Sequence, residues 1–119
     1  MYGNGDIMIN IKSNEDFVRM ILKDQLSICM FTGQGCSDCT LTKEIVNELE
    51  EDYPVLSFYE VSRNELSSLV SDLHIDFVPS FISYKDGREI SRFVSGFRKT
   101  KDEIIGYIEM NLKKEEKND

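Results

Sequence analysis

Strand-forming runs alternate with amphipathic helical patterns along almost the whole chain, and this alternation restricts the possible folds more than any other feature. The predicted strands cover residues 7–11, 27–31, 55–61, 80–84 and 89–94. Helical patterns separate the first four strands and follow the last, and Asp86-Gly87 is typical of a hairpin turn. Such alternation implies parallel strand pairs joined by crossovers, and the hairpin adds an antiparallel pair. We therefore expect an α/β fold in three layers, with a central mixed sheet of about five strands and helices on both faces.

Two capping boxes mark where helices begin. Ser13 is followed three residues later by Asp16, and Thr100 is followed in the same way by Glu103. Apolar residues at helical spacing complete the pattern. The predicted helices cover residues 13–21, 39–53, 66–74 and 100–112.

Length and composition indicate one globular domain. The chain has 119 residues, of which 40% are hydrophobic and 30% charged, enough for one core and too few residues for two. We expect residues 1–119 to form this domain as a monomer. Residues 1–6 and 113–119 are expected to be flexible ends.

The charge balance restricts the partners. With 22 acidic and 14 basic residues the net charge is −8, which repels phosphate backbones and anionic membranes. We expect neither nucleic acid nor membrane as a partner. The chain contains no apolar run long enough to span a membrane and does not begin with the features of a signal peptide, so a cytoplasmic location is expected.

Two of the three cysteines form a C-x-x-C motif. Cys36 and Cys39 lie between a predicted strand and a predicted helix, while Cys29 falls inside the strand, where a free cysteine is commonly a small core residue. In a reducing compartment this spacing is typical of redox chemistry or metal binding. Structural zinc needs four ligands, and the chain offers no second C-x-x-C and only His74. We therefore expect no metal.

The position of the C-x-x-C motif at the start of a predicted helix favours the redox interpretation. The free N–H groups and the positive end of the helix dipole lie there, and they favour a thiolate. Two intervening residues in a helical turn also bring both sulfurs within disulfide geometry. One cysteine then attacks a target disulfide and the other resolves the mixed disulfide.

The chain resembles the thioredoxin family over nearly its whole length. The matching segments are 29–39, Val78-Pro79, 84–89 and Ser95-Gly96. The resemblance implies a thioredoxin-like fold, with Cys36 as the exposed nucleophile and Cys39 as the buried resolving thiol. It also implies a cis Val78-Pro79 bond facing the dithiol. The residues that it places along a substrate groove are Gly35, Val78, Pro79 and Gly96.

Several positions differ from the usual family pattern Trp-Cys-Gly-Pro-Cys. Gly35 replaces the Trp, and Ser37-Asp38 replaces Gly-Pro. Efficient thioredoxins bury an Asp that accepts a proton from the resolving cysteine, and the aligned residue here is Met30. The Lys that accompanies that Asp aligns with Phe58.

Ser37 and Asp38 are the candidate tuning residues. A carboxylate at Asp38 is favoured by the helix dipole but opposes a thiolate at Cys36. A hydroxyl at Ser37 can donate a hydrogen bond to the sulfur and partly offset this effect.

The sequence leaves two main functions open. One is a thiol-disulfide oxidoreductase acting on protein or small-molecule disulfides in cell redox homeostasis, with no cofactor besides its own disulfide and electrons from a thioredoxin-reductase-like flavin enzyme. The other is a thioredoxin-fold binding module with slow or vestigial redox activity. The missing Trp, Asp and Lys favour the binding module, and the presence of both cysteines favours the oxidoreductase.

Overall fold

A computed structural model of the chain describes residues 8–117, which contain five strands and four helices. In chain order these are β1 (Ile9–Asn10), α1 (Asn14–Ile21), β2 (Ser27–Thr32), α2 (Ser37–Glu50), β3 (Ser57–Ser62), α3 (Ser67–Asp72), β4 (Ser80–Lys85), β5 (Arg88–Phe93) and α4 (Lys101–Lys117). Every predicted element is present. Ile7, in the first predicted strand, lies outside the described residues, as do residues 1–6 and 118–119.

The strands form one mixed sheet in the order β1-β3-β2-β4-β5. The pairs β1/β3 and β2/β3 are parallel, and the pairs β2/β4 and β4/β5 are antiparallel. Met30 on β2 is in register with Glu60 on β3 and opposite Phe81 on β4. The expected mixed sheet is confirmed.

The direction of β4 differs from the sequence prediction. Strand–helix alternation implied that β4 would run parallel to its neighbours, yet it runs antiparallel to β2, with Ser80 opposite Phe31. Alternation specifies the order of elements but not the end of the sheet at which a strand enters. The chain after α3 returns to the end of the sheet where β2 finishes, so β4 begins there.

The sheet separates two apolar cores, which confirms the three-layer fold. On one face, α1 and α3 contribute Phe17, Met20 and Val70 to a buried cluster with Cys29 and Phe31 of β2. On the other face, α2 and α4 cover the sheet. The buried cluster there includes Ile28, Met30, Val46, Leu49, Phe58, Phe81, Ile104 and Ile108.

Both predicted helix starts have a side-chain cap, and Thr100 with Glu103 forms the full reciprocal capping box. Ser13 Oγ accepts a hydrogen bond from the Asp16 backbone N–H at 3.1 Å. Thr100 Oγ1 accepts from the Glu103 N–H at 3.1 Å, and Glu103 Oε1 accepts from the Thr100 N–H at 2.8 Å. Both local predictions of a helix start are therefore confirmed.

The helix α4 ends at Lys117, five residues beyond the predicted end at residue 112. The expected flexibility of residues 113–119 stays a prediction. An ion pair of 2.8 Å between Lys85 Nζ and Glu115 Oε1 ties this segment to β4. The polar composition of the segment gave no sign of that partner. None of the helices within residues 8–117 is long and apolar enough to cross a membrane.

Candidate active site

Cys36 and Cys39 form a disulfide at the start of α2, with their Cα atoms 5.2 Å apart. The helix begins at Ser37, two residues before the predicted start, because Cys36 itself acts as the N-cap. Gly35 precedes it with φ of 74°, in the left-handed region that favours glycine. This local conformation directs the chain from β2 into α2.

The Cys36 sulfur receives the electrostatic effect of the helix N-terminus. Its Sγ accepts a hydrogen bond from the Cys39 backbone N–H at 3.1 Å. Such a donor, together with the helix dipole, stabilises negative charge on sulfur. Cys36 is half-buried, whereas Cys39 is only 4% exposed. The two sulfurs therefore differ in their access to a partner molecule.

The segment before β4 meets the dithiol. The Val78-Pro79 peptide bond is cis, as the family resemblance implies. Cys36 Sγ lies 3.8 Å from the carbonyl oxygen of Val78. Val78 is half-buried and Pro79 is buried. The fold thus brings residues 42 positions apart in sequence to one place.

Two exposed aromatic side chains lie near Gly96. A Cβ atom on Gly96 would lie 3.2 Å from a ring carbon of Phe77, so the ring packs directly on this glycine. Phe77 is 49% exposed and Phe97 is 84% exposed. Neighbouring exposed apolar side chains can form a contiguous patch, and such patches are typical of surfaces that contact partners.

An ion pair connects the segment after Gly96 to helix α2, which carries the dithiol. Arg98 Nε donates to Asp38 Oδ1 at 3.0 Å. The Asp38 carboxylate, whose charge was expected to oppose a thiolate, is therefore partly neutralised by a guanidinium. Ser37 is exposed, and within the described residues its hydroxyl donates no hydrogen bond to Cys36.

Met30 and Phe58, the residues aligned with the family's Asp and Lys, are buried apolar side chains. They are 1% and 2% exposed and lie in the core cluster under α2 and α4. No carboxylate is present at the Met30 position, as the sequence predicts.

A carboxylate that the sequence analysis missed lies beside Met30. Glu60 Oε1 pairs with Lys43 Nζ of α2 at 3.1 Å, and Oε2 accepts from the Thr32 hydroxyl at 2.9 Å. The Glu60 side chain is only 13% exposed. It was detectable as a charged residue within the strand sequence Ser57–Ser62, between the buried Tyr59 and Val61.

Glu60 shares a cavity with the dithiol. The cavity has a volume of about 330 Å³. It is lined by Thr32, Gly33, Gly35, Cys36, Ser37, Cys39, Thr40, Lys43 and Glu60. The dithiol thus lies beside an open polar space that is lined by the carboxylate of Glu60 and the amino group of Lys43.

Cys29 is separated from this chemistry. It is fully buried in β2, on the face that packs against α1 and α3. Burial raises the pKa of its thiol well above the usual value, and the charge of Glu60 raises it further. The thiol therefore stays protonated. Among residues 8–117, no three potential metal-ligating side chains of the His, Cys, Asp or Glu type come together.

Comparison with protein families identifies one matching family. The family model described as Thioredoxin matches residues 8–110, which include the dithiol, the Val78-Pro79 segment and most of α4.

Curated relatives match over most of their length. The thioredoxin H-type of Fagopyrum esculentum is 28% identical over 95 residues, covering 80% of this chain and 79% of that protein. The thioredoxin of Homo sapiens is 29% identical over 78 residues, covering 66% of this chain and 73% of that protein.

Solved structures share the fold. A thioredoxin from Trypanosoma brucei brucei superposes with a TM-score of 0.78 at 20% identity, covering 98% of this chain and 97% of that one. The mitochondrial thioredoxin 3 of Saccharomyces cerevisiae, in its oxidised form, gives a TM-score of 0.76 at 17% identity, covering 86% of this chain and 93% of that one.

Proposed function

The chain belongs to the thioredoxin family, and on that premise we propose that it reduces disulfide bonds in other proteins, with Cys36 as nucleophile and Cys39 as resolving thiol. The chain is a thiol-disulfide oxidoreductase. The single observation that carries this conclusion is the Cys36–Cys39 disulfide at the N-terminus of α2. The difference in exposure between the two cysteines supports the assignment of their roles.

The reaction proceeds through two exchange steps. The Cys36 thiolate attacks one sulfur of the substrate disulfide, forms a mixed disulfide and releases the other substrate sulfur as a thiolate. Cys39 then loses its proton and attacks Cys36 Sγ. The Cys36–Cys39 bond forms, the bond to the substrate breaks, and the electron pair leaves on the second substrate sulfur. Two electrons have passed from the dithiol to the substrate.

The surface around the dithiol fits an extended protein segment as substrate. Gly35, Val78, Pro79 and Gly96 are the residues that we place along its groove. The Val78 carbonyl oxygen lies 3.8 Å from Cys36 Sγ, so a segment bound at Cys36 would also meet the Val78 backbone. The exposed rings of Phe77 and Phe97 add apolar contact area near Gly96.

The oxidised dithiol needs an external electron donor. We assign this role to a flavin-dependent reductase of the thioredoxin-reductase type, because the chain belongs to the thioredoxin family. The chain itself needs no cofactor besides its disulfide for this exchange. We also propose that the protein works as a monomer in the cytoplasm, where thiols are kept reduced. Cell fractionation and size-exclusion chromatography test these two points.

Insulin reduction with dithiothreitol as the chemical reductant tests the function. The wild-type chain should accelerate precipitation of the insulin B chain, and Cys36→Ser should abolish this acceleration. Cys29→Ala is the matched control, since that thiol is buried away from the dithiol. A wild-type rate equal to that of dithiothreitol alone would support the binding-module alternative, for which the described residues and the comparisons offer no specific evidence.

A further inference from the structure

We propose that Glu60 accepts the proton of Cys39 when that thiol resolves the mixed disulfide. The inference rests on the proposed function and identifies a proton acceptor for its second step. Met30 leaves the usual position of the family's acid without a carboxylate, and Glu60 is in register with it on the adjacent strand.

The position of Glu60 suits this role. It reaches the dithiol cavity from β3, while Cys39 reaches the same cavity from α2. Cys39 itself is 4% exposed, so its thiol meets solvent mainly through this cavity. The cavity is polar and large enough to hold water, and a water molecule between the thiol and the carboxylate can relay the proton.

The hydrogen-bond partners of Glu60 leave it able to accept a proton. Lys43 occupies one position on Oε1 and Thr32 occupies one on Oε2. Each carboxylate oxygen offers about two acceptor positions, so both oxygens keep capacity toward the cavity. The Lys43 ammonium compensates the negative charge of Glu60 in its partly buried place.

In the mixed disulfide, the Cys39 Sγ–H proton passes through water to a Glu60 oxygen. The Cys39 electron pair then forms the bond to Cys36 Sγ, and the substrate sulfur leaves with the electrons of the broken bond. The proton on Glu60 passes on to the departing thiolate or to solvent, which restores the carboxylate.

Other charged and titratable groups lie on or beside the elements around Glu60. Lys43 faces it from α2. Cys29 lies on β2 and interacts with it electrostatically, but stays protonated because burial raises the pKa of its thiol. The Arg63 guanidinium, just after β3, lies close to Gly33 at the cavity wall. Among Glu60 and the three groups named here, only Glu60 has a carboxylate that can accept a proton from a thiol.

Release of thionitrobenzoate from Ellman's reagent separates the two steps. Attack by Cys36 releases one equivalent, and resolution by Cys39 releases a second in a phase whose rate does not depend on reagent concentration. The measurement compares the reduced wild-type chain with Glu60→Gln between about pH 6 and pH 9.5, a range that spans ordinary thiol ionisation. Glu48→Gln is the matched control, because Glu48 lies on α2 and pairs with Lys101 outside the cavity.

We expect Glu60→Gln to slow the second release about tenfold or more near pH 7, as for loss of a proton acceptor. The first release should change by less than about twofold, and the two chains should converge toward pH 9.5, where hydroxide removes the thiol proton unaided. Glu48→Gln should match wild type. Equal second-phase rates at every pH, or a slowing by one constant factor at every pH, would overturn the proposal, since the latter indicates packing alone.

Two further results keep the test decisive. If Glu60→Gln does not fold, Glu60→Asp replaces it and should show a smaller slowing near pH 7 with the same convergence. A constant factor for that variant would again contradict the proposal. Failure of the proposed function gives a different result, because the wild-type chain would then fail to accelerate insulin reduction, whatever the two release phases of Glu60→Gln show.

Discussion

At the scale of single residues, the Asp38–Arg98 pair is expected to set the reactivity of Cys36. Asp38 lies in the first turn of α2, and Arg98 Nε bonds to its Oδ1 at 3.0 Å. Asp38→Asn removes a negative charge near the thiolate and leaves the guanidinium, so it should increase the iodoacetamide alkylation rate of reduced Cys36 near pH 7 about twofold. Arg98→Gln leaves the carboxylate unpaired and should decrease that rate by a similar factor.

The double variant completes this test. Asp38→Asn combined with Arg98→Gln should bring the rate back near that of wild type, because both charges are gone. The pH midpoint of Cys36 alkylation should be lower than that of wild type in Asp38→Asn and higher in Arg98→Gln. In the double variant it should return to near the wild-type value. Unchanged midpoints in both single variants would mean that Asp38 serves only as a helix-start residue.

Glu50 should make stability depend on pH. It lies in the last turn of α2, where the dipole disfavours negative charge, and its buried Oε1 has no hydrogen-bond partner among residues 8–117. Burial raises its pKa from 4.5 to about 7. The folded protein therefore binds this proton more tightly than the unfolded chain does. Its stabilising contribution is complete below the unfolded pKa and is lost as pH rises through about 7.

Glu50→Gln tests this effect. The variant should raise the free energy of unfolding by about 1 kcal/mol at pH 8 and should change it little at pH 4. The effect at pH 8 is this small because the side chain is partly in contact with solvent, which screens its charge. Urea unfolding at both pH values provides the measurement, with the exposed Glu51→Gln as control. An equal effect at the two pH values would contradict the assignment.

At the scale of elements, the β2/β3 register determines whether an acid is tolerated at position 30. Met30 is 1% exposed and is paired with Glu60. Met30→Asp would bury a second carboxylate beside the first, without a cation of its own. We expect a loss of about 3 kcal/mol in the free energy of unfolding.

The Met30 prediction has a matched control. Met30→Leu keeps the volume and apolar character and should cost less than about 1.5 kcal/mol. Denaturant unfolding of both variants measures the difference. An aspartate variant as stable as the leucine variant would show that the position readily accommodates charge, contrary to the burial of Met30.

Local patterns in the sequence predicted the elements well. The Ser13 and Thr100 caps depend on residues three positions apart, and Asp86-Gly87 specifies its turn with two residues, so each is readable without knowledge of the fold. The strand–helix junction at Cys36 was readable for the same reason. The resemblance of the whole chain to the thioredoxin family then indicated the cis bond before Pro79.

Contacts between the charged side chains of distant elements were not readable. The Glu60 contacts join three elements, since Thr32 ends β2 and Lys43 lies on α2. The Asp38–Arg98 pair spans 60 residues. Long-range pairs of this kind depend on which elements become neighbours and in which direction they run, and the hydrophobic pattern of one element does not specify its neighbours.

At the scale of the whole molecule, the sheet topology explains why the site forms where it does. The parallel strands β2 and β3 end at the same edge, and α2 starts from that edge with the dithiol. Because β4 is antiparallel to β2, its beginning meets the same edge, with Ser80 opposite Phe31. The direction of β4, which the sequence did not predict, therefore places Val78 and Pro79 beside Cys36.

Redox titration of the full chain against dithiothreitol, with alkylation and mass mapping of each cysteine, tests the central claim most directly. We predict a reversible two-electron transition in which Cys36 and Cys39 change together and Cys29 stays reduced. Its midpoint should be at or below about −230 mV, in the range of disulfide reductases. A pairing through Cys29, no reversible disulfide, or a midpoint near the strongly oxidising value of about −120 mV would contradict the account.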